Sequence, residues 1–175
     1  MKKVLILCIF FSYACYQTHK RVCIHTAITT TQISPIALRV ARRNAEINKV
    51  KVNFIKSNLF FALNCGCAKF DMILSNPPYI SAAEIKGLSP EVRCEPRLAL
   101  DGGSDGLDFY RRIVNDSSGY LSDRGYLILE MGFNQRRSIE EIIEASRKFS
   151  IISIIRDYNN IERVAVLQKA GAKHG

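Results

Sequence analysis

Asn76-Pro77-Pro78-Tyr79 is the stretch of this 175-residue chain whose residue types point most directly to chemistry. It follows the apolar run Met72-Ile73-Leu74 and a single serine, Ser75. Two successive prolines carry no amide hydrogen and disfavour helix in the residue before them. A strand ending here therefore leaves its sheet in a stiff, extended turn. Three groups are then held together: the Asn76 carboxamide, the Pro77 carbonyl and the Tyr79 ring. A planar nitrogen, whether an amide or an exocyclic base amine, is a poor nucleophile because its lone pair is delocalised. With its two N–H groups accepted by the Asn76 side-chain oxygen and the Pro77 carbonyl, such a nitrogen is held and its lone pair turned towards an electrophile. Tyr79 can stack on the planar group. Catalysis of this kind works by orientation and placed dipoles and needs no strong base. An ordinary Pro-Pro loop has the same local sequence. Its place at the carboxyl end of an apolar strand, where open α/β sheets bind ligands, favours the site.

The elements that must position this turn read as alternating strands and helices, which predicts a doubly wound, mostly parallel α/β sheet. Val4–Phe11 is an apolar first strand, and Arg21–Thr29 is rich in β-branched residues and reads as the second. Ser34-Pro35 is a helix start, with Ser as N-cap and Pro in the first turn. That helix buries Ala37, Leu38, Ala41 and Ala45, turns Arg42, Arg43 and Glu46 outward, and stops near Asn48. Lys51–Lys56 is the third strand and Phe70–Ser75 the fourth. Residues 81–104 form a long loop with a Gly-Gly turn, and loops of that length in compact domains are usually functional. Asp105–Leu121 reads as a helix, with Leu107, Ile113 and Val114 available for burial, and Gly125–Met131 as the fifth strand. Ser138–Phe149 is amphipathic, with Ile139, Ile142, Ile143 and Ala145 on its apolar side. Ser150–Ile155 and Arg163–Leu167 are a final strand pair joined through Asp157-Tyr158-Asn159-Asn160. The tail after Lys169 is expected to fray.

The length fits one domain, residues 1–175, and its hydrophobic fraction of 47% is ordinary for a globular chain. The net charge of +9 arises entirely in the first half: residues 1–80 hold 11 Lys and Arg against 2 Asp and Glu, and residues 81–175 hold 14 of each. Attraction to RNA or an acidic protein is one reading. A solvated basic face is the preferred one, because no aromatic residues alternate with the basic ones. The six cysteines form no Cys-x-x-Cys; Cys65-Gly66-Cys67 is the one close pair, and reduced thiols are expected over a metal site. Met1 to Ala14 has the basic start and short apolar core of a secretory leader. It is too short to span a membrane, and the strand reading is preferred.

Beyond the turn, longer stretches carry a resemblance. Glu95-Pro96-Arg97-Leu98-Ala99-Leu100-Asp101-Gly102-Gly103-Ser104-Asp105-Gly106-Leu107-Asp108-Phe109-Tyr110-Arg111 is one. Tyr126–Gly132 and Ile161-Glu162-Arg163-Val164 are others. With Asn76-Pro77-Pro78-Tyr79 after a strand opened by Phe70-Asp71, they resemble the release-factor glutamine N5-methyltransferases, the HemK/PrmC family. The resemblance covers about residues 33–168. It implies the class I S-adenosylmethionine-dependent methyltransferase sheet, here expected to be incomplete at its amino-terminal end, since the family's preceding helical domain has no room. It also implies S-adenosyl-L-methionine as cofactor and the glutamine of a Gly-Gly-Gln tripeptide in peptide-chain release factors as substrate. By the same resemblance Asn76, Pro77, Pro78 and Tyr79 are catalytic. Asn76, Gln32, Asn58 and Leu59 lie on the cofactor side, and Glu95, Pro96, Gly102 and Gly103 in the substrate loop; no metal is implied.

Residues 1–32 depart from the family pattern. Ile6 stands where an acid is expected, no glycine precedes Gly66, and Ile9, Phe10 and Phe11 occupy the place of the glycine-rich cofactor loop. Gln32 and Asn58 each replace an acid. Weak cofactor binding is therefore expected, and a reading-frame slip within residues 1–32 would account for the sharp boundary. Two alternatives stand beside the first reading. One is a degenerate, inactive copy of the enzyme. The other is a nucleic-acid adenine N6-methyltransferase using the same turn on a flipped base, which the absence of a target-recognition domain disfavours. A cytoplasmic monomer without stable membrane association is expected.

Overall fold

The computed structural model describes residues 2–8, 26–64 and 69–171. Among the described residues, seven strands form one sheet in the order β3-β2-β1-β4-β5-β7-β6. They are β1 (Lys2–Cys8), β2 (Thr26–Gln32), β3 (Val52–Lys56), β4 (Phe70–Asn76), β5 (Leu121–Glu130), β6 (Phe149–Arg156) and β7 (Glu162–Lys169). The first five run parallel, and β7 is antiparallel to both of its neighbours. The strand order reverses between β1 and β4, and at that reversal Cys8 lies in register with Asn76. An open sheet leaves a crevice outside its carboxyl ends at such a point. The terminal residue of β4 stands at its edge.

The helices among the described residues are α1 (Pro35–Ile47), α2 (Pro90–Arg93), α3 (Arg97–Leu100), α4 (Asp108–Ser117) and α5 (Arg136–Ser146), with a 3-10 turn at Glu84–Gly87. Among the described residues no helix is long and apolar enough to cross a membrane. Successive strand residues point to opposite faces, so each central strand feeds two layers. Leu5 and Leu7 of β1, Ile73 of β4, Leu127 and Leu129 of β5 and Leu167 of β7 are fully buried with Tyr110, Ile113 and Val114 of α4 and Ile139 and Ile143 of α5. Ile6 and Ile28 face the other side and gather Val4, Val52 and Leu74. On α1, Ala37, Leu38, Ala41 and Ala45 are buried, as the sequence pattern predicts. Ser34 caps that helix, its hydroxyl accepting from the Ala37 amide at 3.3 Å.

Several boundaries differ from the sequence reading. β2 continues to Gln32, three residues past Thr29, because it pairs with β3 as far as Gln32–Lys56. The expected start of that strand, Arg21–His25, and the expected extension of β1 through Ile9, Phe10 and Phe11 lie outside the described residues. The loop at 81–104 is not bare: it holds the 3-10 turn, α2 and α3. The helix expected from Asp105 begins only at Asp108, because Asp105 Oδ1 accepts from the Leu107 amide at 3.1 Å and Gly106 takes a φ of +77°. It ends at Ser117, and β5 starts at Leu121, four residues before Gly125. Arg124 has a φ of 57° and interrupts the β4–β5 register, so the regular pairing resumes only at Met72–Tyr126. α5 starts two residues before Ser138 and ends at Ser146, where Arg147 takes a left-handed conformation. Ala145 is exposed, not buried.

Candidate active site

Asn76 is the last residue of β4 and is half-buried; Pro77 and Pro78 are buried and Tyr79 is half-buried. The turn is zipped onto the loop that precedes α4. Ile80 bridges to Asp101 in parallel fashion. The Ile80 amide donates to the Leu100 carbonyl at 3.0 Å, the Gly102 amide to the Ile80 carbonyl at 2.8 Å, and the Ala82 amide to the Gly103 carbonyl at 2.9 Å. Gly102 is needed for this approach: a Cβ there would lie 2.9 Å from the Pro78 carbonyl oxygen. Gly103 takes a φ of +94°, a region that favours glycine. Gly102 and Gly103 thus support the turn from behind. Glu95 and Pro96 are exposed between α2 and α3, and the Glu95 charge is near enough to bear on the Tyr79 hydroxyl.

β5 supplies the other wall. The register Ser75–Leu129 puts Glu130 beside Asn76 at the ends of adjacent strands. Burial raises the Glu130 carboxyl above its ordinary value, against the opposing pull of the Arg163 charge and a hydrogen bond from the Asn76 side chain. Burial also raises the Tyr79 hydroxyl; Glu130 and Glu95 raise it further and Arg163 opposes them. The buried Tyr110 hydroxyl donates to the Glu130 carbonyl at 2.8 Å. Asn76, Tyr79, Glu130 and Arg163 therefore form one electrostatic group.

Gln32 ends β2 and is buried. Its Oε1 accepts from the Ser34 amide at 3.1 Å, and its buried Nε2 has no hydrogen-bond partner among the described residues. Asn58 is exposed after β3, its Oδ1 accepting from Arg112 at 3.2 Å. Leu59 takes a φ of 52° and is buried in the main core.

Comparison with known proteins bears on this arrangement. Residues 16–89 match the Methyltransferase small domain family. The release factor glutamine methyltransferase of Fusobacterium nucleatum is 42% identical over 147 residues, which is 83% of this chain and 41% of that protein. That of Geobacter sulfurreducens is 43% identical over 141 residues, 80% of this chain and 49% of that protein. Over about four fifths of its length the chain is similar to the release factor glutamine methyltransferases. It spans about half the length of these curated relatives. A methyltransferase from Pyrococcus furiosus shares the fold, with a TM-score of 0.69 at 18% identity over 97% of this chain and 75% of that one.

The sequence reading missed Glu130, Arg163 and Gln135 as neighbours of the candidate site. Glu130 was visible as an acid closing an apolar strand, but only the β4–β5 register sets it against Asn76. Arg163 reaches the group from an antiparallel strand, and Gln135 sits in a short connection that carries no periodic signal. The first-strand loop at Ile9, Phe10 and Phe11 and the Cys65-Gly66-Cys67 pair lie outside the described residues.

Proposed function

We propose that this domain methylates the side-chain nitrogen of a glutamine, the one in the Gly-Gly-Gln tripeptide of peptide-chain release factors, with S-adenosyl-L-methionine as donor. The observation that carries the reading is the Asn76 carboxamide at the carboxyl end of β4, beside the strand-order reversal and followed by the Pro77 carbonyl. The Asn76 side chain hydrogen-bonds to the Glu130 carboxyl; with its N–H group used there, the Asn76 oxygen is left for the substrate. That oxygen and the Pro77 carbonyl accept the two amide N–H groups, and Tyr79 packs on the amide plane. The glutamine nitrogen gains a methyl group and gives up one proton to water.

S-Adenosylmethionine, when bound, supplies a methyl group on a sulfonium sulfur. The residues present fit such a ligand at one point in particular: the unpartnered Gln32 Nε2 is a buried donor able to meet a hydroxyl oxygen. Asn58 and Asn76 would complete the cofactor side. Leu59 would contribute through its backbone, since its side chain is part of the core. Acting on release factors, the domain would work in the cytoplasm.

The test is a competition between a Gly-Gly-Gln release-factor protein and adenine-containing DNA for labelled methyl groups. Label in the protein, abolished by Asn76→Ala, is expected. Label in the DNA would replace the reading with base methylation, and label in neither would favour a degenerate copy.

A further inference from the structure

We infer that Gln135 is a positioning residue, holding the Tyr79 carbonyl so that Asn76 and Pro77 provide the acceptors a substrate amide meets. The inference rests on the amide-holding reading of the turn. Gln135 occupies the N-cap of α5, where Ser, Thr, Asp or Asn would ordinarily bond to the first helical turn. Its side chain makes no such bond. It turns back instead: Nε2 donates to the Tyr79 carbonyl at 2.8 Å, and Oε1 accepts from the Gly132 amide at 3.1 Å. Both ends of the carboxamide are therefore used, joining the end of β5 to the catalytic turn.

Two glycines make room for it. A Cβ on Gly132 would lie 2.6 Å from Gln135 Oε1 and 2.8 Å from the Tyr79 ring. A Cβ on Gly106 would lie 2.5 Å from the Tyr79 carbonyl oxygen and 2.9 Å from Gln135 Nε2. Gly106 comes from the loop before α4 and Gly132 from the end of β5, so two separate segments are cut back around the same carboxamide. Of the carbonyls that follow Pro77, Tyr79 is held by Gln135 and Ile80 accepts from Gly102, and the Pro78 carbonyl lies so close to Gly102 that no side chain fits there. Fixing the Tyr79 carbonyl orients the Tyr79–Ile80 peptide plane, whose first Cα bears the Tyr79 ring, and keeps this carbonyl from competing for the substrate's N–H groups.

Gln135→Glu keeps an acceptor for the Gly132 amide and removes the donor to Tyr79; Gln135→Met removes both. The readouts are the Tyr79 carbonyl-carbon NMR resonance, the Asn76 side-chain amide resonances during titration with a Gly-Gly-Gln peptide, and the melting temperature. Both variants should shift the Tyr79 carbon and weaken peptide binding about tenfold, the equivalent of one lost hydrogen bond, with melting nearly unchanged. An unmoved Tyr79 carbon in both variants overturns the clamp. A moved carbon with parental peptide affinity overturns the positioning role. Peptide that leaves Asn76 unperturbed in the parent chain tells against the amide-holding reading, and the clamp is then judged on the Tyr79 carbon alone.

Discussion

Asn76 has one donor end and one acceptor end, and on the proposed reading its neighbours decide which faces a substrate amide. With Glu130 taking the donor, Asn76→Ala removes the substrate's acceptor and leaves Glu130 without its partner. Turnover should fall on the order of 10²-fold or more; a rate within a few-fold of the parent would place the site elsewhere. Glu130 also gives a pH signature. Its native carboxyl lies above the ordinary 4.5 because of burial, so the native chain holds this proton more tightly than the unfolded chain does. The resulting stabilisation is full below pH 4.5 and is lost as pH rises through the raised native value. Asp101, Asp105 and Asp157 are shifted the other way, below 3.8, and act at lower pH. Glu130→Gln should therefore flatten the fall in melting temperature above pH 4.5. Parallel curves for parent and variant over that window would dismiss the effect. Of these residues, Asn76 was legible because two prolines mark the strand end in the sequence itself. Glu130 was not, because its role depends on the pairing of Ser75 with Leu129 across two strands far apart in the chain.

At the scale of elements, sequence signals succeeded where a local rule is strong. Ser34-Pro35 starts α1, and the Ser34 hydroxyl bonds the Ala37 amide as an N-cap should. Ser34→Ala is expected to cost about 1 kcal/mol, measured by denaturant unfolding; a loss near zero would mean that the cap contributes nothing beyond solvent. The short helices α2 and α3 escaped notice because four residues each cannot show a helical period. The start of β5 escaped because the positive φ of Arg124 breaks its alternation. The resemblance puts Gly102 and Gly103 in the substrate loop; the packing that the sequence does not show is that Gly102 and Gly106 bring backbone against the Asn76–Tyr79 turn. Gly106→Ala would force a side chain to a positive φ and against the Tyr79 carbonyl. The strain alone costs roughly 1–2 kcal/mol, so a clear drop in melting temperature is expected. An unchanged melting curve would show that the loop can move away without loss.

For the whole molecule, the sheet order joins two sites that are distant in sequence. Gln32 and Asn76 both end strands on the carboxyl side, with β1 between β2 and β4. The candidate amide site on β4 consists of described residues. On β2, Gln32 offers a buried Nε2 with no partner among the described residues. This is a neutral donor where the family resemblance implies an acid. A hydrogen bond to a charged group contributes about 1.5–3 kcal/mol, against roughly 1 kcal/mol for a neutral one. Gln32→Glu should therefore tighten S-adenosylmethionine binding by about tenfold. The same substitution buries a second carboxylate oxygen without a partner, so the ligand-free chain should melt at a lower temperature. Calorimetric titration of parent and variant, paired with melting curves with and without ligand, separates the two effects. The parent is expected to bind weakly. Equal affinities would remove Gln32 from the ligand site, and micromolar binding by the parent would mean that the segment after β1 grips the cofactor without the glycines its family pattern calls for.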